Sequence, residues 1–515
     1  MWNSILSIFE NLSWNKLLEN LQYQPDSPML FSTGLFLFLF LIFYFFYNKI
    51  RNHLTVKFIY VILFSLYFYY KTSGVFVILL LIVATIDYFI GHGIAMTKDK
   101  TNRKLWVTLS ILVNLGMLGY FKYTNFLYDT AVGLFHYFGG MFGNEPLQQV
   151  QFHPLDIFLP VGISFFTFQS LAYAIDVYRD EIKPVKNWLE YMFFVSFFPV
   201  LVAGPIVRPK DFFPQVRNKL LLSSSQMGEA LYLIICGLFK KSIISDYISV
   251  NFVDRIFDNP SLYTGVENLT GVYGYALQIY CDFSGYSDMA IGIALLLGFR
   301  LKINFDSPYQ SASITEFWRR WHISLSSWLR DYLYIPLGGN RKGKVRTYIN
   351  LIITMLLGGL WHGAAARFIL WGAIHGVALA VHKWLSGIFG WKAFGKDMSP
   401  GKRILNTLIT FHLVCFAWIF FRADTMEKAF QMLSQIFTHF EPGVFLQLIS
   451  GYKTVFILLL AGYIIHFIPK NIDLKIQEQV TRLSFWGKAA LLSLAIFIVI
   501  QMKSSEIVPF IYFQF

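Results

Sequence analysis

Long apolar runs alternate with short polar intervals along most of this chain. Residues 27–48 hold no charged side chain, and a helix of that length spans roughly 33 Å at about 1.5 Å per residue. This matches the hydrocarbon core of a bilayer, which requires about 20 apolar residues in a helix. Similar runs continue almost to the end of the chain, so the pattern predicts roughly a dozen transmembrane or re-entrant helices.

The predicted fold class is an all-α polytopic membrane protein with a single integral membrane domain over residues 1–515. Residues 1–27 are predicted to be an interfacial segment that starts with an amphipathic helix. Residues 28–385 would form the N-terminal helices and the core, and residues 386–515 the C-terminal helices and tail. Prolines and glycines interrupt the apolar runs of residues 155–301, which predicts broken or re-entrant helices there.

Composition supports the membrane assignment. Hydrophobic residues make up 56% of the chain and charged residues only 14%, against about 25% charged in soluble domains. The net charge of +13 is better explained by orientation of helices in the bilayer than by nucleic acid binding, so membrane lipids are expected as partners and nucleic acid is not. Basic clusters at residues 49–57, 98–104 and 383–403 predict cytoplasmic loops, with both termini outside.

Several common catalytic and metal-binding patterns are missing from the sequence. The three cysteines, Cys236, Cys281 and Cys415, have neither CxxC nor Cys/His spacing, so no disulfide framework and no metal site are predicted. The sequence also lacks the GxSxG, HExxH and GxxxxGK[ST] motifs of hydrolases, zinc proteases and phosphate loops.

Residues 313–340 carry the densest polar and aromatic pattern. A capping-box sequence at residues 313–316 predicts the start of a helix, and the turn sequence PLGGN at residues 336–340 predicts its end. Apolar residues recur three or four positions apart on one face of this predicted surface helix, with His322 beside them: Phe317, Trp321, Leu325, Trp328 and Tyr332.

A basic cluster follows this helix. It reads either as a signal for membrane topology or as an attraction for a phosphate-bearing cytoplasmic donor. Its members are Arg341, Lys342, Lys344 and Arg346.

His362 stands out because it lies in the uncharged run 347–366, within the sequence GGLWHG. A regular helix places it roughly 23 Å from the start of this run, where an ionisable side chain is costly and indicates function. The flanking glycines would let an acyl chain approach closely.

Histidine suits acyl transfer because it can exchange a proton near neutral pH, and His322 could share that role. A buried structural histidine remains an alternative, and it is the preferred interpretation for His375 and His382.

The sequence CDFSGYSD at residues 281–288 places two carboxylates, Asp282 and Asp288, inside an apolar stretch. Buried charges of this kind pair with bases, line a cavity or relay protons. They favour a transporter more than any other feature of the chain does. Without an identifiable basic partner, the preferred hypothesis is that both line an enzyme's cavity together with Ser284 and Trp361.

These motifs resemble those of the membrane-bound O-acyltransferases, in particular the bacterial branch with the membrane subunit of alginate O-acetyltransferase. The resemblance covers most of the chain. The matching stretches are AGPI at 203–206, DFSGYSDMA at 282–290, FWRRWHISLSSWLRDYLYIPLGGN at 317–340, GGLWHG at 358–363 and FIYFQF at 510–515.

The resemblance implies a core whose cavity opens to both sides of the bacterial cytoplasmic (inner) membrane. His362 matches the family's catalytic histidine, and His322 matches a second motif position. The implied donor substrate is acetyl-CoA, with no bound cofactor, and the implied acceptor is an exported or cell-surface polysaccharide. Acetyl would reach it directly or through an extracytoplasmic partner similar to SGNH hydrolases.

The last six residues fit the pattern Phe-x-Tyr-x-x-Phe, which is similar to the C-terminus of a small peptide in teichoic acid D-alanylation. This similarity suggests that Tyr512 carries the acyl group between donor and partner. The alternative is a terminal aromatic anchor at the membrane interface. For the whole protein, the alternatives to a transferase are a transporter without acyl chemistry and a scaffold for polysaccharide export.

Overall fold

The structure is a computed structural model that describes residues 19–143, 151, 153–218, 222–390, 398–502 and 509–511. All regular elements within these residues are helical, and no β-strand occurs among them. The all-α fold class predicted from the sequence is therefore confirmed. The predicted amphipathic helix at the start of the chain falls almost wholly outside the described residues.

Helices of seven residues or more follow one another along the whole chain. In the first half they are Gly34–Ile50, Leu54–Ser73, Val77–Met96, Lys100–Leu118, Thr124–Phe142, Ile163–Tyr178, Trp188–Ser196, Pro209–Val216 and Ser224–Leu238. In the second half they are Gly265–Leu296, Ile314–Arg320, Ile323–Leu329, Lys344–His362, Ala366–Phe389, Pro400–Arg422, Met426–Thr438, Phe445–Gly451, Lys453–Phe467, Lys470–Arg482 and Phe485–Met502. Short α-helical and π-helical turns occupy residues 239–258.

The helices group into two units. The first consists of Met1–Phe121, Asp156–Ala203 and Val207–Lys219. The second consists of Lys122–Leu155, Gly204–Ile206 and Leu220–Phe515. All of the candidate site residues named above that the structure describes belong to the second unit.

Several helices are long and apolar enough to cross a membrane. Among the described residues there are five such helical stretches, the first two of which each join two of the helices given above: Leu54–Met96, Lys100–Phe142, Ala366–Phe389, Pro400–Arg422 and Phe485–Met502. A pair bent by 98°, Pro442–Gly451 with Lys453–Phe467, makes six if it forms one span. The polytopic membrane class is confirmed. The predicted number of roughly a dozen transmembrane or re-entrant helices stays a prediction.

The first apolar run forms a shorter helix than predicted. Helix Gly34–Ile50 has 17 residues and starts seven positions after residue 27, where the uncharged run begins. The hydroxyl of Thr33 sets this start, because it accepts the N–H of Phe36 at 3.3 Å and donates to the carbonyl of Leu30 at 2.7 Å. Lys57, predicted to lie in the following loop, is instead buried inside the next helix and donates to the carbonyl of Val216 at 2.8 Å.

The predicted broken helices of residues 155–301 are confirmed. This region contains the short helices Trp188–Ser196 and Pro209–Val216 and the π-helical turn Phe239–Ser245. It ends in one uninterrupted helix of 32 residues, Gly265–Leu296, which carries the two carboxylates predicted from the sequence.

The prediction of one surface helix over residues 313–335 is wrong. The capping serine does start a helix, since Ser313 accepts the N–H of Glu316 at 3.1 Å. That helix ends at Arg320, however, and a second one begins at Ile323. Four of the five predicted face residues are buried, so this segment belongs to the protein core and not to its surface: Phe317, Trp321, Leu325 and Trp328.

Glycines bring helices Lys344–His362 and Ala366–Phe389 into direct backbone contact. A Cβ atom on Gly359 would lie 2.1 Å from the carbonyl oxygen of Phe368, and one on Gly372 would lie 2.3 Å from that of Met355. Small residues of this kind are typical of close helix pairs in membranes. This packing determines where the His362 end of the first helix lies against the second.

We expect Gly372→Ala to destabilise the protein, because its new methyl group collides with backbone that cannot rotate away. Overpacking of this kind costs about 1–3 kcal/mol. Gly387→Ala is the matched control, since the same helix has open space at that position. Tryptophan fluorescence on heating in detergent should give a lower midpoint for Gly372→Ala and an equal or higher one for Gly387→Ala. Equal midpoints for the two variants would contradict this view of the interface.

Candidate active site

The structure brings the two predicted histidines together in the core of the second unit. His362 is the last residue of helix Lys344–His362, and His322 lies at the break between helices Ile314–Arg320 and Ile323–Leu329. Their ring centroids are 6.4 Å apart. Both are buried, with 0% of His322 and 2% of His362 exposed. Residues 40 positions apart in sequence thus share one small polar site inside an apolar core.

The backbone of His322 adopts a conformation that L-residues rarely take. Its φ is +43°, and strain of this kind costs about 1–3 kcal/mol and clusters at functional sites. Asn304 holds the break open by binding the backbone that follows it. The Asn304 carbonyl accepts the N–H of Ile323 at 2.9 Å, and its side-chain Oδ1 accepts the N–H of Ser324 at 3.1 Å. The continuous helix predicted here fails because Asn304 takes these backbone donors.

The same asparagine determines the tautomer of His322. Its Oδ1 accepts a backbone N–H, so this atom is the amide oxygen and cannot donate. His322 Nδ1 lies 3.2 Å from that oxygen and must therefore carry the hydrogen of this bond. The lone pair is left on Nε2, which is the nitrogen able to accept a proton.

Ser324 completes this network. Its hydroxyl accepts the N–H of Ile206 at 3.0 Å and donates to Asn304 Oδ1 at 2.9 Å. Ile206 belongs to the AGPI stretch at 203–206. Asn304 and Ser324 therefore orient His322 without being part of the predicted site, and nothing in the sequence signalled either of them.

Hydrogen bonds to the last carbonyls of its helix fix the position of His362. Lys122 Nζ donates to the carbonyls of Trp361 at 2.7 Å and His362 at 2.9 Å, and the Tyr123 hydroxyl donates to that of Leu360 at 2.8 Å. The last carbonyls of a helix have no partner within it, and a cation is favourable at this negative end of the helix dipole. Lys122 is the single charged residue between Leu105 and Leu127. A lone charged residue within an apolar run indicates a functional role in the protein interior, so the sequence did contain a signal for this lysine.

Aromatic rings enclose His362. The ring centroids of Trp361, Trp371 and Phe421 lie 5.0, 5.1 and 5.3 Å from that of its imidazole. The glycines beside it face protein atoms, since a Cβ on Gly363 would lie 1.9 Å from the ring of Phe368. These glycines pack closely against protein atoms, and an approach of an acyl chain along them stays a prediction.

Both predicted carboxylates of helix Gly265–Leu296 have a basic partner. Asp282 Oδ1 lies 2.5 Å from Lys241 Nζ, and Asp288 Oδ2 lies 2.7 Å from Lys240 Nζ. Both lysines belong to the π-helical turn Phe239–Ser245. Lys241 precedes Asp282 by 41 residues and Lys240 precedes Asp288 by 48. The premise that no paired base exists was therefore wrong. Ser284 is buried on the same helix, and a cavity-lining role for these residues stays a prediction.

His375 lies near the site, since its ring contacts the ring of Trp371 as that of His362 does. The remaining predicted residues lie away from the two histidines or outside the described chain. The basic residues Arg341, Lys342, Lys344 and Arg346 are exposed at the opposite end of the His362 helix, roughly 27 Å away at about 1.5 Å per residue. His375 is buried and its Nδ1 accepts the indole N–H of Trp318 at 3.3 Å, which fits the structural role assigned to it. His382 Nδ1 bonds the hydroxyl of Thr315 at 3.0 Å. Tyr512 lies outside the described residues.

No group of three or more His, Cys, Asp or Glu residues within the described part of the chain has an arrangement that could hold a metal ion. The described polar groups of the site are imidazoles, amides, hydroxyls and lysines. This set suits proton transfer and hydrogen bonding to an acyl group and its acceptor.

Comparison with known proteins identifies the relatives of this chain. The profile of the membrane-bound O-acyltransferase family matches residues 179–422, which include both histidines. A probable alginate O-acetylase of Pseudomonas aeruginosa is 41% identical over 420 residues, covering 80% of this chain and 75% of the relative. A peptidoglycan O-acetyltransferase of Helicobacter pylori is 37% identical over 435 residues, covering 79% of each. A teichoic acid D-alanyltransferase of Bacillus subtilis is 30% identical over 285 residues, covering 52% and 69%.

A polytopic helical fold with this histidine site defines a membrane-bound acyltransferase. The chain belongs to the membrane-bound O-acyltransferase family, in the branch that includes the alginate O-acetylases. The resemblance read from the motifs is thereby confirmed.

We expect Asn304→Leu to lower acyl transfer at least about tenfold, because His322 loses the acceptor that selects its tautomer. Asn304→Asp keeps an oxygen acceptor and should retain most of the activity. Solid-state NMR of ¹⁵N-histidine should detect a mixture of His322 tautomers in Asn304→Leu and one tautomer in wild type. Full activity and an unchanged spectrum in the leucine variant would contradict the assigned network.

Proposed function

We propose that this protein transfers acetyl groups from cytoplasmic acetyl-CoA to hydroxyls of an exported or cell-surface polysaccharide. The observation that carries the proposal is the buried pair His362 and His322 within family motifs. Acetyl is favoured over D-alanyl because the two O-acetylating relatives match about four fifths of the chain, whereas the D-alanyltransferase matches about half. The bacterial relatives favour the cytoplasmic membrane as its location.

In this proposal His362 is the principal acid and base. It takes the proton of an acceptor hydroxyl while the oxygen attacks the thioester carbonyl of acetyl-CoA. The carbon–sulfur bond then breaks, and the proton goes to the leaving thiolate to give free coenzyme A. His322 assists through Nε2, which its bond to Asn304 keeps as the proton-accepting nitrogen. Aromatic walls exclude water, which would otherwise hydrolyse the thioester.

The donor's phosphates would bind at the basic cluster of residues 341–346. All four basic side chains are exposed there, and clustered positive charge raises the local concentration of anions. Because this cluster and His362 are separated by the length of one helix, roughly 27 Å, the donor needs a long arm between its phosphates and its thioester. Acetyl-CoA has such an arm, whereas a compact acyl phosphate does not.

A relay through Tyr512 would carry acetyl from the site to an extracytoplasmic, SGNH-hydrolase-like partner. The phenol oxygen of Tyr512 would take acetyl from the thioester, releasing coenzyme A, and would pass it on to the partner or to a polysaccharide hydroxyl, which restores the free phenol. The neighbouring residues Phe510 and Ile511 support this route, because both are buried in the second unit.

A transporter without bond chemistry is less well supported. The carboxylates that favoured it, Asp282 and Asp288, each have a lysine partner, as in a fixed structural network. An export scaffold would have no need for buried histidines in a hydrogen-bonded site.

The decisive experiment follows radiolabelled acetyl from acetyl-CoA with purified protein in liposomes. His362→Ala should lower transfer by about 10²- to 10⁴-fold, the usual contribution of a general acid–base group, and His322→Ala should lower it less. His382→Ala is the matched control, since this histidine bonds Thr315 away from the site. Transfer that persists in His362→Ala, with the control active, would overturn the assignment.

The relay is tested separately by mass spectrometry of the C-terminal peptide after incubation with acetyl-CoA. Wild type should gain one acetyl group on Tyr512 when no acceptor is present. Tyr512→Phe, which keeps the ring and loses the hydroxyl, should gain none, and neither should His362→Ala. An unmodified wild-type tyrosine in a preparation that still transfers acetyl would rule out the relay and leave direct transfer.

A further inference from the structure

The C-terminal segment enters the core through a backbone hydrogen bond to a charged residue. The N–H of Ile511 donates to Asp282 Oδ2 at 2.9 Å, and both residues are buried. The other carboxylate oxygen of Asp282 contacts Lys241 Nζ at 2.5 Å. Asp282 therefore uses one oxygen for an ion pair within the core and the other for the tail.

Lys241 is shared, which explains why Asp282 accepts a further donor. The same Nζ lies 2.8 Å from Asp246 Oδ1, so one positive charge serves two carboxylates. A buried carboxylate requires more than one donor, and the tail N–H supplies one to Asp282. Bonds from N–H groups to carboxylates are also stronger than those to neutral acceptors.

The residue before Ile511 fills an aromatic pocket. The ring of Phe510 is fully buried, with its centroid 4.8 Å from that of Tyr286 and 5.5 Å from that of Phe283. Phe283 is in turn 4.6 Å from the ring of His322. One aromatic side chain thus separates the described end of the tail from the candidate active site.

The two contacts have different consequences for recognition. The Phe510 pocket selects an aromatic side chain, whereas the bond from Ile511 is made by backbone and fixes the position of the chain along helix Gly265–Leu296. Tyr286 lies four positions after Asp282 and three positions after Phe283, so its side chain is next to both on the helix surface. These helix residues contact the C-terminal segment through one of its side chains and one of its backbone groups.

We propose that Asp282, Phe283 and Tyr286, with Lys241 behind them, form a docking site for the chain's own C-terminal segment. Asp282 is the positioning residue. It sets the register of the chain at Ile511, which is the residue that precedes Tyr512 in the sequence. The docking stands on the contacts above, and only its catalytic consequence rests on the proposed acetyl relay.

Hydrogen–deuterium exchange of the full-length protein tests the docking without using activity. The C-terminal peptide containing Ile511 should exchange slowly in wild type and at least about tenfold faster in Asp282→Ala, because exchange reports local opening. Asp288→Asn is the matched control, since this carboxylate pairs with Lys240 on the same helix and its change should leave the tail protected.

Ile511→Pro removes the donor N–H and keeps the ion pair of Asp282 with Lys241, so it keeps the test valid if Asp282→Ala folds poorly. It should release the tail, whereas Ile511→Ala, which retains the N–H, should not. A wild-type tail that exchanges as fast as a free peptide, or one whose protection survives both Asp282→Ala and Ile511→Pro, would overturn the docking site.

Acetyl transfer then separates docking from the relay. If both hold, Ile511→Pro should lower kcat about tenfold or more while leaving the KM for acetyl-CoA unchanged, because the donor site is not touched. If the tail is protected but Tyr512→Phe keeps full activity, the docking stands and the relay fails. If tail release by Ile511→Pro leaves kcat at the wild-type value while Tyr512→Phe abolishes transfer, Asp282 has no positioning role.

Discussion

The capping of helix Lys344–His362 by Lys122 and Tyr123 is the interaction on which the site depends most directly. A helix that ends inside the protein leaves its last carbonyls without partners, and each such group is costly away from water. Lys122 and Tyr123 satisfy the carbonyls of residues 360, 361 and 362 with three hydrogen bonds. The helix can therefore stop at His362, which leaves the imidazole at a helix end, enclosed by rings, and not on the face of a continuing helix.

The position of His322 also depends on hydrogen bonds to backbone groups that lack helical partners. At His322 a sequence with helical periodicity is interrupted, and Asn304 accepts the backbone N–H groups that the interruption leaves without helical acceptors. The side chain that stabilises the break also bonds His322 Nδ1. Backbone strain and tautomer selection therefore meet at His322, and the break in the helix gives its imidazole a defined orientation.

The ion pairs of helix Gly265–Leu296 connect the core to the end of the chain. Buried ion pairs are weak contributors to stability because desolvation offsets their attraction, so their presence calls for another explanation. Asp282 provides one, since a carboxylate already held by Lys241 can accept a backbone N–H that an apolar residue could not. A polar cluster that suggested transport in the linear sequence is compatible with an enzyme that fixes its own C-terminal segment.

The sequence by itself determined the membrane class, the family and the two histidines, because apolar run length and motif residues are local properties that are readable without contacts. It also located the basic cluster and the carboxylates. It did not determine the break at His322, the partners of Asp282 and Asp288, or the roles of Asn304, Ser324 and Lys122. Each of these depends on pairing between segments distant in the chain, and a donor's partner has no fixed sequence spacing. Only the tertiary structure decided them, since buried polar groups must find whichever complementary atoms the packed helices bring within hydrogen-bonding distance.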